Sequence, residues 1–509
     1  MKPTKNGSRK RLSKLLVGLV MTGVMTFTSG VTAFAAVNNA DVNNASESRK
    51  GIFYTDYATP DELMREAKKL AEEVSEEGMV LMKNDSALPL AKHSRISVFG
   101  RSSVNPAYGG GGSGALIGVE PVSLYDGLRN AGFYTNGVLE SFYNNSILSG
   151  AGRSDKTYVN ETPVSAYNDS VTGSFNAYKD AAVVVITRTG AEGSDLPRTG
   201  NEKDGGARYL SITKNEQDLI DYVGTKFDKV VLLVNSSNTI ELSSVKDKVD
   251  AILWVGNPGE RGFNAVGRIL NGEVNPSGKL SDTYVSDLTL DPTWANFGNN
   301  NQNQGVGYVT KKGSEYQYKI NYYNALRKTG EKVPAGTTVT VDGTQKDIGG
   351  MDVYESAGTY TEYEEGVYVG YRYYETRAYE MSERGEAWYD TIVDYAFGEG
   401  LSYTTFKKEW ADGVAPTLDM AKNGELTFKV KVTNTGSVAG KDVIQLYYSA
   451  PYTAGGIEKS YVNLGAYAKT DMLQPGESGT YTLKLKVQDM ASFDWNDANG
   501  NGFKGYELE

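Results

Sequence analysis

The stretch Ala182-Val183-Val184-Val185-Ile186, with Arg188-Thr189-Gly190-Ala191-Glu192-Gly193-Ser194-Asp195-Leu196-Pro197-Arg198 just beyond it, decides how the rest of the chain is read. Five consecutive apolar residues, most of them β-branched, leave no polar face, so the strand they form is covered on both sides, as in parallel sheets. Three more such runs stand at Ile96–Phe99, Val230–Val234 and Ala251–Val255, and helix-like segments lie between them at Leu124–Ala131, Lys214–Lys226 and Gly262–Leu270. Ahead of them, Pro60 opens a charged segment with Leu63, Ala67, Leu70, Ala71 and Val74 at helical spacing, running to Gly78. Strands alternating with helices predict a largely parallel α/β sheet over residues 60–295. Its loops gather at the strand carboxyl ends, where open α/β sheets hold ligands.

That placement makes 188–198 the leading candidate for chemistry. Glu192, set between small residues, projects freely; Asp195 adds a second carboxylate, and Arg188 and Arg198 stand at the two ends. An arginine there can orient an acidic partner or a sugar hydroxyl. The competing reading is a merely solvated acidic loop.

Gly109-Gly110-Gly111-Gly112-Ser113-Gly114 formally satisfies G-x-G-x-x-G, but it lies some ten residues past the strand ending at Gly100, and Pro121 separates it from the next helix. A dinucleotide fingerprint must join strand directly to helix, and no Lys-Ser/Thr follows for a phosphate loop. Two readings stay open: a loop built for close backbone approach to a ligand or neighbouring domain, or an ordinary flexible loop. Pro258-Gly259-Glu260-Arg261-Gly262 reads as a helix start, with a pocket lining as the alternative, and His93 as an exposed loop residue.

Composition removes whole classes of mechanism. Among 509 residues there are one histidine and no cysteine, which excludes disulfides, thiolate nucleophiles and two-histidine metal sites. Carboxylates, hydroxyls, lysine and arginine remain, and no cofactor is implied. With 52 basic and 63 acidic residues the formal charge is −11, which argues against a nucleic-acid partner. Residues 1–36 carry six basic residues and no acid ahead of an apolar run from Leu15 to Met25 and then Ala33-Phe34-Ala35, the layout of a secretory signal peptide cleaved near Ala35 or Ala36. Cleavage leaves 46 basic against 63 acidic residues, a charge of −17, and a secreted, extracellular protein of bacterial type with no membrane segment.

Residues 37–59 read as a polar linker. Residues 296–400, with Asn299–Gln304 and a tyrosine-dense region from Tyr354 to Tyr395, read as an irregular, partly β insertion whose tyrosines are core or sugar-stacking surfaces. From 401 to 509 apolar and polar residues alternate at Leu426–Asn434, Val443–Tyr448 and Tyr481–Val487 between Gly, Pro and Asn turns, predicting an all-β sandwich. Asp497-Ala498-Asn499-Gly500-Asn501-Gly502 matches half of a calcium loop, but the twelfth position is Leu508, so it reads as an Asn/Gly turn with calcium as the weaker alternative.

Several strings in order, Glu77-Gly78-Met79-Val80-Leu81-Met82-Lys83-Asn84, Leu88-Pro89-Leu90, the glycine-rich loop, Pro258-Gly259-Glu260, Asn275-Pro276-Ser277-Gly278-Lys279-Leu280, Gly366-Val367-Tyr368-Val369-Gly370-Tyr371-Arg372-Tyr373-Tyr374 and Phe397-Gly398-Glu399-Gly400-Leu401-Ser402-Tyr403-Thr404, resemble the carboxyl-terminal half of glycoside hydrolase family 3 β-glucosidases. The resemblance spans about residues 60–509, and the final sandwich is similar to that family's fibronectin type III-like domain. It implies a retaining mechanism with two carboxylates about 5–5.5 Å apart on an oligosaccharide or β-glucoside substrate. In that mechanism an Asp on a (β/α)₈-type barrel is the nucleophile and a Glu of the α/β domain is the acid/base.

By motif position the resemblance assigns the acid/base to Glu192, with Asp195 and Arg198 as substrate-binding residues. Leu196-Pro197 before Arg198 departs from the family's Glu-Gly-x-Asp-Arg string. A pKa lifted toward neutrality requires partial burial of Glu192 at a domain interface. Nothing between residues 37 and 509 has the eight strand–helix repeats of a barrel, and Phe493-Asp494-Trp495 sits in the last sandwich-strand region. The expectation is therefore the front part of a longer, permuted enzyme, or a chain that needs a barrel in trans. The alternative is a non-catalytic carbohydrate- or partner-binding protein on the same scaffold.

Overall fold

The structure is a computed structural model and describes residues 57–148, 158–192, 196–296, 308–310, 326–341, 344–347, 349–350, 352–356, 365–417, 421 and 424–508. The leader expected at 1–36 and Asp195 lie outside them.

Six strands form the central sheet: β1 (Val80–Asn84), β2 (Arg95–Phe99), β3 (Tyr134–Thr135), β4 (Ala181–Arg188), β5 (Val230–Ser236) and β6 (Ala251–Trp254), in the order β1-β6-β5-β4-β2-β3. All neighbours run parallel except β1, which pairs antiparallel with β6 along the edge. Every residue of β4 and β5 is buried, because both faces of the sheet are covered by helices. On one face lie α2 (Leu124–Asn130) and α6 (Gly262–Leu270), whose Leu124, Leu128, Phe263, Val266 and Ile269 pack against Val98, Val183, Leu233 and Leu253. The two helices touch backbone to backbone, and a Cβ on Gly127 would sit 2.1 Å from the Phe263 carbonyl oxygen, so only glycine permits this approach. On the other face α3 (Gly137–Leu148), α4 (Asp169–Ser174) and α5 (Lys214–Gly224) bury Leu139, Tyr143, Val171, Leu219 and Val223 against Val184, Ile186 and Leu232.

α1 (Pro60–Gly78) starts on a Thr59 side-chain cap with proline in its first turn and docks on α6 through Glu72, which pairs with Arg261 and Arg268. No residue of α1 is buried, and Leu63, Leu70 and Val74 stay exposed. Among the described residues no helix is long and apolar enough to cross a membrane.

Within 296–400, Tyr308–Thr310, Leu326–Lys332 and Asp352–Ser356 form a three-stranded sheet and Thr338–Val341 pairs with Thr344–Asp347, but the described tyrosine-dense stretch from Glu365 on is largely helical. It folds into two helices, Tyr371–Glu380 and Gly385–Ile392, followed by a short strand, Val393–Tyr395, paired with Tyr284–Val285. Tyr374, Tyr389 and Tyr395 are buried, and tertiary packing rather than local preference makes these segments helical. The final unit sets the sheet of Phe406–Trp410, Glu425–Asn434 and Ser478–Lys486 against the pair Val443–Tyr448 and Asn463–Lys469. Leu426, Phe428, Val430 and Val432 point into its core at every second position. It is tied to the α/β unit by Glu77, which pairs with Lys441 and Lys469, and by buried Asp442, which pairs with Lys279.

Candidate functional site

In this sheet the chain leaves β2 toward β3 on one side and returns to β4 on the other, so the topological switch falls between β2 and β4. The loops leaving those two strands therefore diverge around a crevice at their carboxyl ends, where doubly wound sheets bind ligands. The loop after β2 carries the glycine-rich segment, and the loop after β4 carries Glu192.

The two loops run side by side. Gly111 donates its N–H to the Gly190 carbonyl at 3.1 Å, and Gly111 pairs with Ala191 in a parallel bridge. At the tip, Ser113 gives Glu192 Oε2 two hydrogen bonds, from its backbone N–H at 2.9 Å and from its hydroxyl at 2.8 Å. Gly112 adopts φ +68°, and a Cβ there would lie 2.7 Å from both Cβ and Oε2 of Glu192. The glycine run is thus a close-approach loop, and what it approaches is the Glu192 loop.

Glu192 is exposed, and Ser113, first through its N–H and then through its hydroxyl, holds the carboxyl below the usual range. The partial burial expected for a proton-donating carboxyl is not met within this chain, because nothing among the described residues covers Glu192 from the solvent side. As it stands the group is a preorganised carboxylate held in its charged form, and it would have to lose water before it could hold a proton to give.

Arg188 does not reach the site. It is fully buried and forms a bidentate pair with Glu216 at 2.8 Å per bond, with further bonds to the carbonyls of Thr187, Tyr209 and Ser211. Glu216 in turn caps α5 by accepting from the Thr213 N–H and hydroxyl. The pair fixes the end of β4 four residues before Glu192 and leaves Arg188 no donor for a ligand. Arg198 packs over the Trp294 ring at 5.7 Å, with Arg208 over the same ring at 5.6 Å. Arg208 is held by Glu241 and by Asp287 at 3.0 Å.

Two residues not marked out in the sequence hold the root of the site. Asn235, at the end of β5, bonds to the loops on either side, and Glu161 accepts the Arg101 N–H at 3.0 Å where the chain leaves β2. Glu161 is buried, and burial pushes its carboxyl up to about 8, only partly offset by the Arg101 N–H. Pro258–Gly262 starts α6 and also steadies the glycine-rich loop, through Gly259 N–H to the Tyr108 carbonyl and Val122 N–H to the Glu260 carbonyl, both at 2.8 Å. His93 is exposed, and the Asp497–Gly502 segment is an Asn/Gly turn closed by Gly502 N–H to Asp497 at 3.0 Å. Asp494 is buried and accepts the Asn496 and Ala498 N–H groups that shape the same turn.

A family model described as the glycosyl hydrolase family 3 C-terminal domain matches residues 79–371, more than half of the chain. The chain belongs to glycosyl hydrolase family 3. A fibronectin type III-like model matches residues 442–499, in agreement with the all-β unit. Family 3 relatives include beta-glucosidase A of Butyrivibrio fibrisolvens, 31% identical over 84% of this chain and 46% of that protein, and a beta-glucosidase of Ruminococcus albus, 29% identical over 86% of this chain and 38% of that protein. Among solved structures, beta-glucosidase 3B of Thermotoga neapolitana in complex with glucose is 28% identical with a TM-score of 0.63, covering 85% of this chain and 50% of its own. The Paenibacillus barengoltzii beta-glucosidase is 30% identical with a TM-score of 0.62, covering 85% and 39%. The chain spans less than half the length of these two curated relatives.

Proposed function

We propose that this chain is the acid/base-bearing portion of an exported β-glucosidase-type hydrolase acting on terminal β-linked sugars, with Glu192 as the acid/base. The observation that carries the reading is an exposed carboxylate at the topological switch point, oriented by both donors of Ser113. In the retaining reaction a nucleophilic carboxylate attacks the anomeric carbon while the acid protonates the departing oxygen. The same group, now a base, then takes a proton from the water that releases the sugar. The nucleophile is assigned to a second domain, a barrel in cis or in trans. Docking of that domain over Glu192 would remove the water that now solvates it and raise its pKa toward the value an acid needs. The acidic composition and the leader-like residues 1–36 support export.

The test is Glu192→Ala in the protein together with its barrel, assayed on an aryl glucoside with a good leaving group. Turnover is expected to fall about 10²–10⁴-fold, with azide restoring much of it by attacking the glycosyl intermediate in place of activated water. Normal turnover with no response to azide would remove Glu192 from the role and favour a sugar-binding protein on the same scaffold.

A further inference from the structure

Asn235 is the penultimate residue of β5, whose preceding residues are all Val or Leu, and its side chain is fully buried. A buried amide is costly unless each of its groups is paired, and here all four hydrogen bonds lead out of β5 to neighbouring segments. Oδ1 accepts from the Ala107 N–H at 2.6 Å and from the Thr187 hydroxyl at 3.0 Å. Nδ2 donates to the Ala107 carbonyl at 2.8 Å and to the Gly256 carbonyl at 2.6 Å. The reciprocal pair with Ala107 reproduces what a neighbouring strand would offer, so the amide holds the glycine-rich loop at its root. Thr187 is the penultimate residue of β4, five positions before Glu192, and Ala107 stands six positions before Ser113. One side chain therefore bridges two segments that next touch at Gly111 and Gly190 and finally at Ser113 and Glu192.

We propose that Asn235 is the positioning residue of this site, fixing the glycine-rich loop against the strand that feeds Glu192 so that both Ser113 donors meet the carboxylate. The purpose assigned to that arrangement rests on the acid/base reading of Glu192, whereas the arrangement itself does not. A residue that merely filled the core would pack as well if apolar. A positioning residue acts through the geometry of its four bonds, and its loss is felt at Ser113, 79 positions before Glu192 in the chain.

The experiment compares wild type with Asn235→Ala by hydrogen–deuterium exchange, and follows the Glu192 carboxyl by ¹³C NMR as the difference from Glu192→Gln. The expected result is exchange in the 107–115 segment faster by about tenfold or more, as loss of buried hydrogen bonds implies. Protection in the middle of β4 and β5 should be kept, and the Glu192 titration should move up toward the ordinary carboxylate value. A folded variant with unchanged exchange at 107–115 and unchanged Glu192 titration overturns the proposal. Should N235A fail to fold, N235D keeps the volume and the acceptor while losing the amide donors, and the same two readouts decide. Neither readout uses turnover. Loosened loops beside a fully active E192A would sink the acid/base reading alone, and tight loops beside an azide-rescued E192A would sink the positioning proposal alone.

Discussion

Two glutamates stand at the carboxyl ends of neighbouring strands, and their surroundings push them in opposite directions. Glu161 is buried against the start of the β2 loop, where burial raises its carboxyl to about 8 although the Arg101 and Thr162 N–H groups favour its charged form. Glu192 is exposed and is held low by Ser113. A search for strongly perturbed carboxyls would choose Glu161, yet it faces the interior and supports the backbone that carries the glycine-rich loop. Perturbation marks function only where the group can also meet a ligand. On the proposed acid/base reading Glu192 still needs cover, which a second domain would have to supply without altering the carboxylate's seat.

The largest effect is expected between the two, at the buried Arg188–Glu216 pair. Arg188→Ala leaves Glu216 charged in the interior and should cost about 3–5 kcal/mol in denaturant unfolding. Arg188→Met combined with Glu216→Leu should recover most of that loss, because no unpaired charge remains. If the single substitution costs under about 1 kcal/mol, the pair does not anchor the end of β4.

Glu161 comes next, and its signature is a pH dependence. Below its ordinary value of 4.5 the carboxyl is protonated in both folded and unfolded chains and contributes no difference. As pH rises from there to about 8, the unfolded chain ionises while the native residue keeps its proton, so native stability falls, and above about 8 the loss is constant. Glu161→Gln should therefore gain on wild type by a few kcal/mol between pH 4.5 and 8, measured as unfolding free energy across that range. A difference that is flat with pH would mean that Glu161 ionises normally and that the contrast with Glu192 is unfounded.

The parallel strands and the helices between them were legible because doubly buried strands leave unbroken apolar runs. β1 was not read as a strand, since Lys83 interrupts its pattern; in the fold that lysine is buried and bonded to the Lys246 and Val249 carbonyls at 2.8 and 2.6 Å. The helices Tyr371–Glu380 and Gly385–Ile392 were hidden by tyrosines, which suggest β structure locally and are helical here through packing. At the site, Glu192 was legible from its place after a parallel strand. Ser113 was not, because its role exists only once β2 and β4 lie side by side, and Asn235 was visible only as a polar residue ending an apolar run.

The finest test divides the Ser113 seat into its parts. Gly112→Ala forces a side chain into φ +68° and against Glu192, which should cost about 1–2 kcal/mol and displace both donors together. Ser113→Ala removes only the hydroxyl, and the backbone N–H, the stronger of the two influences on Glu192, stays in place. The Glu192 titration should therefore move up only part of the way in S113A and further in G112A, while the global unfolding of S113A should hardly change, since an exposed hydrogen bond contributes little net. On the acid/base reading, the same order should appear with the barrel present in the alkaline limb of the kcat/KM pH profile, where the acid that protonates the departing oxygen loses its proton. Should S113A shift Glu192 as far as G112A does, the hydroxyl and not the loop backbone is the seat, and the glycine run serves only to let Ser113 approach.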